Sequence, residues 1–192
     1  MTQPAATTTV VAVAGRRIDA PDAGVIRFPL HNRDRVRQLI ASVLRSQPVS
    51  AVVSSAACGA DLLALDVARH AGIRRRLILP FAIDRFRESS VVDRPGDWGP
   101  LFDGLVADAA AHDDLVILEA GDGDQAFAAT NLAILDEGER LATTTGARRS
   151  ALIVWEGASR GGDDLTDQFR VEAVARGWSV EEIRTVASSN LH

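Results

Sequence analysis

Apolar residues arrive in six short runs, most of them followed by a polar turn and then a stretch with helical spacing. The runs TVVAVA (9–14), AVVS (51–54), RLIL (76–79), DLVIL (114–118), ALIVW (151–155) and WSVEEI (178–183) are too short for buried helices. The first five are nearly continuous in apolar side chains, which predicts strands covered on both faces. After Asn32, a candidate N-cap, Val36, Leu39, Ile40, Val43 and Leu44 recur at helical spacing. Helical patterns also cover 61–71, closed by Gly72, then 100–111 with Pro100 in its first turn, 125–141 and 165–175. Short strands alternating with helices predict an α/β, Rossmann-like three-layer sandwich: a mainly parallel sheet of about six strands with helices on both faces. No repeat or linker-like shift divides the chain, so one domain is expected over 9–186, with short tails at 1–8 and 187–192.

In such sheets ligands bind outside the carboxyl ends of the strands, where strand order reverses. The informative segments are therefore the strand exits: GRR (15–17), SSAACGAD (54–61), PFAIDRFRESSVVDRP (80–95), EAGDGD (119–124) and EGASRGGDD (156–164). Composition narrows what they can meet. A formal net charge of −5 argues against general affinity for nucleic acid or anionic membranes. No apolar run approaches the roughly 18 residues of a membrane span. The start MTQPAATTT lacks the basic and apolar regions of a signal peptide, so a cytoplasmic location is expected. The single cysteine, Cys58, excludes an internal disulfide and a cysteine-based metal site, and GDGD lacks EF-hand spacing, so neither metal nor cofactor is expected. All 21 basic residues are arginine, so an anion site here must be built from guanidinium groups, amides and hydroxyls.

The small residues of SSAACGAD permit close approach to the next helix, whose first amides are unpaired and partly positive. A phosphate fits there, with Ser54 and Ser55 as further donors; a tight turn with Asp61 as the helix-starting carboxylate fits equally well. The segment is neither GxGxxG nor a P-loop. Cys58 sits where a helix N-terminus lowers a thiol pKa, but none of His31, His70 and His112 stands in a recognisable pairing. The third exit is long for a connection. In it Arg85, Arg87 and Arg94 suit phosphates, Phe81, Phe86 and Trp98 suit a base, and Glu88, Ser89 and Ser90 suit sugar hydroxyls. The plainer alternative is a surface loop whose arginines pair with Asp84, Asp93 and Asp97. Glu119 and Glu156 close strands four and five, as ribose acceptors or as a nucleophile. Asn131, in the first turns of the following helix, is a candidate reader of a base edge.

VVSSAACGADLLALDVA (52–68) is similar to the S-G/S-A-x-x-GAD-xx-A-xxxA element of the SLOG superfamily, which includes LOG and DprA-type proteins and stand-alone nucleotide sensors. VAVAGRR at the first strand, LPF (with Pro80 and Phe81) after the third and the pair Gly161-Gly162 after the fifth follow in the same order. The resemblance implies a site for a nucleotide or nucleotide-derived ligand. Gly15 and Arg16 would close over it, and Ser54, Ser55, Gly59 and Asp61, with Cys58 beside them, would hold phosphate or ribose. Enzymatic LOG proteins carry PGGxGTxxE, whose glutamate serves phosphoribohydrolase chemistry. Here the segment reads RGGDDLTDQ: Arg160 replaces the proline, Asp164-Leu165 the Gly-Thr and Gln168 the glutamate. An amide cannot act as that carboxylate. The expectation is thus a binding or sensing domain in stress or defence signalling, as a homodimer and with a separate effector protein. The alternatives are an enzyme acting on an N-glycosidic bond through Glu88, Glu119 or Glu156, and a structural domain with a vestigial pocket.

Overall fold

A computed structural model describes residues 7–187; the tails expected at 1–8 and 187–192 lie almost wholly outside the described residues. Strands β1 (Thr9–Gly15), β2 (Val49–Ser54), β3 (Arg74–Leu79), β4 (Leu115–Ile117), β5 (Arg148–Trp155) and β6 (Ser179–Arg184) form one sheet in the order β4-β3-β2-β1-β5-β6. Every pairing is parallel, as continuous apolar runs covered on both faces require. The chain steps outward from β1 to β4, then returns across the sheet to lay β5 on the free side of β1. The switch point therefore lies between β1 and β5.

Alternation along β1 divides the core. Val11 and Val13 face the layer of α1 (Arg33–Arg45), α2 (Ala60–His70), α3 (Ile83–Ser90) and α4 (Gly99–Ala111), where Ile40, Leu62, Leu65, Phe86 and Phe102 are buried. Val10, Ala12 and Ala14 face α5 (Gly123–Thr145) and α6 (Leu165–Ala175), where Leu135, Phe169 and Trp178 close the second layer. Each fully buried side chain of this size contributes about 1.5–3 kcal/mol of transfer free energy.

Two local expectations are corrected. Asn32 makes no capping bond; its Nδ2 donates to the Thr185 carbonyl at 2.9 Å, tying the entry of α1 to the end of β6. The third exit is not an open loop, because residues 83–90 form α3. The buried aromatic of α3, Phe86, lies 6.0 Å from both Phe81 and Phe102 by ring centroid. Trp98 is also buried, with its indole N–H donated to the Pro95 carbonyl at 2.8 Å. Phe81 and Trp98, named as base-stacking candidates, are core residues, since aromatics in a half-apolar connection are drawn under the nearest helix.

Candidate functional site

The carboxyl ends of β1 and β2 open into a cleft of about 460 Å³, lined by the exits of both strands, the end of α3, the first turns of α5 and the β5–α6 connection. It lies at the switch point, where a doubly wound sheet leaves a crevice.

Arg16, the first residue beyond β1, is buried and joins that crevice together. Its Nε donates to Glu156 Oε2 at 2.6 Å and its Nη2 to Glu156 Oε1 at 3.0 Å. Nη1 and Nη2 also reach Asp164 Oδ1 and Oδ2 at 2.5 and 2.7 Å. Asp164, fully buried, is the N-cap of α6: it accepts from the amides of Thr166, Asp167 and Arg160 at 3.1, 3.3 and 2.9 Å. Burial pushes its carboxyl up, but Arg16 and these amides outweigh burial and hold it well below the usual carboxylate range. Arg27 Nε adds a second cation on Glu156 at 3.2 Å. With both oxygens engaged by arginine, Glu156 is a structural counter-ion and does not line the cleft.

The SSAACGAD turn is also turned inward. Ser54 is buried and donates to the Val13 carbonyl at 3.2 Å. The Cys58 amide donates to the Ser90 carbonyl at 2.9 Å, and the Ala60 amide to the Arg16 carbonyl at 3.1 Å. Gly59 has φ +98°, and a Cβ there would stand 2.7 Å from the Arg16 carbonyl oxygen and 2.9 Å from the Ile18 nitrogen. Glycine is needed at this position because the β1 exit lies directly on the turn. Gly15 makes the matching approach, since a Cβ on it would meet Ala60 Cβ and the Val154 oxygen at 2.5 Å each.

Ser55, Ala57 and Asp61 are what the turn presents to the cleft. Ser55 Oγ donates to Asp61 Oδ2 at 2.6 Å. Burial pushes the Asp61 carboxyl up to about 6, against hydrogen bonds from Ser55 and the Ala57 amide and the charge of Arg17. The group can therefore give or take a proton near pH 6.

Arginines supply the positive side. Arg17 pairs with Asp93 beside the buried Cys58 thiol, which burial pushes up despite Arg17. Arg94 Nε stands 3.4 Å from Asp93 Oδ2, and Arg160 lines the cleft from the β5–α6 connection. Asn131, on α5, donates to the Leu165 carbonyl at 3.0 Å and lines the cleft with Phe127.

The remaining candidates lie elsewhere. Phe81, Arg85 and Glu119 border a separate depression at the exits of β3 and β4, where Arg85 sits 4.2 Å over the Phe81 ring and pairs with Asp122. Glu119 there has φ +52°. The Pro80 carbonyl accepts from the Ala120 amide at 2.8 Å. Arg87 is engaged by Asp103 at 2.8 and 3.0 Å, and Glu88 and Ser89 are exposed on α3. Gly161 and Gly162 are exposed, and Gln168 Nε2 donates to the Gly162 carbonyl at 2.5 Å, fixing their loop. Of the named binding candidates the cleft brings together Gly15, Arg16, Ser55, Asp61 and Asn131, along with Arg17, Phe86, Ser90, Arg94 and Arg160. Sequence reasoning missed Phe127 and Thr166 as lining residues. Their signal is position alone, each in the first turns of a helix that follows a strand exit.

Among the described residues, no cluster of three or more His, Cys, Asp or Glu is placed to hold a metal, and no helix is long and apolar enough to cross a membrane. No protein-family model matches the chain, and no curated protein matches it.

Proposed function

We propose that the protein binds a nucleotide-derived small molecule in the cleft at the switch point. One observation carries this reading: a single cleft is lined by guanidinium groups from Arg17, Arg94 and Arg160 and by the aromatic and amide side chains of Phe127 and Asn131. Guanidinium groups match phosphate oxygens, while a ring and an amide suit a base. A volume of about 460 Å³ falls in the range of small-molecule sites. Ligand sensing, passed by a homodimer to a separate effector, is the setting that the SLOG resemblance implies. Gln168 supports sensing over LOG-type hydrolysis, since it braces a loop where those enzymes place a carboxylate. Thermal-shift measurements with mono-, di- and triphosphate nucleosides, adenine dinucleotides and cyclic dinucleotides test the reading. A ligand at about 100 times its Kd stabilises the fold by about 2.7 kcal/mol, and Asn131→Ala should diminish that shift. No shift with any member of the panel would overturn the reading.

A second reading is favoured by Asp61 alone. A cleft-lining carboxyl with its pKa raised to about 6 is equipped for general acid chemistry on an N-glycosidic bond. Asp61 would give its proton to the departing base nitrogen as the bond to the sugar breaks. Water would add to the sugar carbon and return a proton to the carboxylate. This assigns the work to Asp61 and not to Glu88, Glu119 or Glu156. Chromatographic assay of base release, abolished by Asp61→Asn, tests it; no turnover by the unmodified chain sinks it.

A further inference from the structure

Arg17 follows β1 and Arg94 follows α3, and among the described residues Asp93 is the one carboxylate paired with either of them. Two cations thus share one anion. The sharing is incomplete in its hydrogen bonds as well. Arg17 donates to Asp93 Oδ1 through Nη2, while Arg94 Nε, 3.4 Å from Oδ2, lacks the alignment of a hydrogen bond. The Nε atoms of both arginines are buried and make no hydrogen bond. A buried donor left unbonded is costly, and more so when it is charged. Arg75 and Arg76 also bury an unbonded Nε, but Arg75 meets Asp108 at 2.5 Å, Arg76 meets Glu137 at 2.8 Å, and neither lines the cleft. The neighbouring Cys58 thiol does not make up the deficit, because it is buried and burial favours its neutral form; Asp61 feels the charge of Arg17 but forms no ion pair with it among the described residues.

The three side chains are 29–32% exposed, so a solute can reach them, and both arginines line the cleft near Ser55 and Ser90. A carboxylate offers one charge on two oxygens in a plane. A phosphate group offers up to two charges on three or more oxygens set tetrahedrally, which suits two guanidiniums arriving from different elements. We propose that Arg17 and Arg94 form a subsite for the phosphate group of the ligand, and that Asp93 is the internal counter-ion which that phosphate replaces. The subsite rests on the nucleotide reading for its biological ligand but not for its chemistry. It uses neither the α2 N-terminus nor the glycine pair.

Isothermal titration of the full chain with inorganic phosphate and pyrophosphate, at constant chloride, tests this. Arg94→Gln should weaken pyrophosphate binding about tenfold. Asp93→Asn should tighten it several-fold, a gain that misfolding cannot produce. Unchanged affinity in both variants, or weaker binding in Asp93→Asn, overturns the subsite. Adenosine monophosphate binding equally to the unmodified chain and to Arg94→Gln also overturns it while leaving the nucleotide reading intact. Pyrophosphate responding as expected, with no nucleotide stabilising the chain, supports the subsite and removes the nucleotide reading.

Discussion

Arg16 and Asp164 meet through hydrogen bonds of 2.5 and 2.7 Å across the gap where the strand order reverses. One follows β1 and the other caps α6, so the pair holds the two sides of the crevice at a fixed separation. Both are buried, and each is the other's main compensation. The same carboxylate receives the first amides of α6, which couples the cleft rim to the start of that helix.

Breaking this pair from one side should be costly. Arg16→Met leaves the buried Asp164 carboxylate without its guanidinium and should destabilise the fold by about 3–5 kcal/mol in urea unfolding, whereas Asp164→Asn leaves Arg16 still paired with Glu156 and should cost less. The double variant should cost clearly less than the sum of the singles. Strict additivity would show that the two side chains do not depend on each other.

The layers of the fold were legible because the apolar runs report burial directly: Val10 to Ala14 could only be a strand covered twice. The third exit was misread because one helical turn-pair, 83–90, is held by only two apolar residues, the buried Phe86 and the partly buried Ile83, too weak a pattern to see against many charges. The site was half legible. Position at a strand exit found Ser55, Asp61 and Arg17, but residue type could not tell which polar groups are consumed internally. Arg16 reads as a ligand arginine until Asp164, 148 positions away in sequence, is found against it. Ser54 and the Ala60 amide read as anion donors until Val13 and Arg16 claim them. Long-range pairing of this kind leaves no local trace in a sequence.

Gly59 and Gly161 separate two costs of a methyl group. Both have φ near +100°, where a side chain is strained by about 1–2 kcal/mol. At Gly161 an added Cβ meets nothing within 4 Å, so Gly161→Ala should cost no more than that strain. At Gly59 it strikes the Arg16 and Ile18 backbone, so Gly59→Ala should cost about 2 kcal/mol beyond the strain. Equal midpoints for the two variants in chemical denaturation would contradict the close approach of the Arg16–Ile18 backbone to Gly59.

Phe127 lines the cleft from the second turn of α5 and meets Phe81 edge-on, with ring centroids 5.9 Å apart. Phe127→Leu keeps the apolar contact and removes the ring. It should leave stability within about 1.5 kcal/mol and weaken any base-containing ligand by about 1–3 kcal/mol. Pyrophosphate affinity should not change, which assigns ring and guanidiniums to different parts of one ligand. Equal losses for base-containing ligands and pyrophosphate would mean that the substitution merely distorts the cleft.

Asp61 gives the protein a pH dependence opposite in sign to that of its paired carboxylates. Its folded pKa is raised from 3.8 to about 6 by burial, so between those values the folded state holds a proton that the unfolded state has lost. Raising the pH through that window therefore costs stability, about 3 kcal/mol in all, and the loss is complete above about pH 7. Asp164 runs the other way: its depressed pKa stabilises the fold above the ordinary carboxylate range, and that contribution is lost only in stronger acid. A raw stability profile mixes the two. Subtraction isolates Asp61, because Asp61→Asn does not titrate and keeps an oxygen to accept from Ser55. The unfolding free energy of Asp61→Asn minus that of the unmodified chain should rise by about 3 kcal/mol from pH 4 to pH 7, then level off. A difference that stays flat across that range would mean that Asp61 is ionised at an ordinary pKa, and would remove the acid on which the catalytic reading depends.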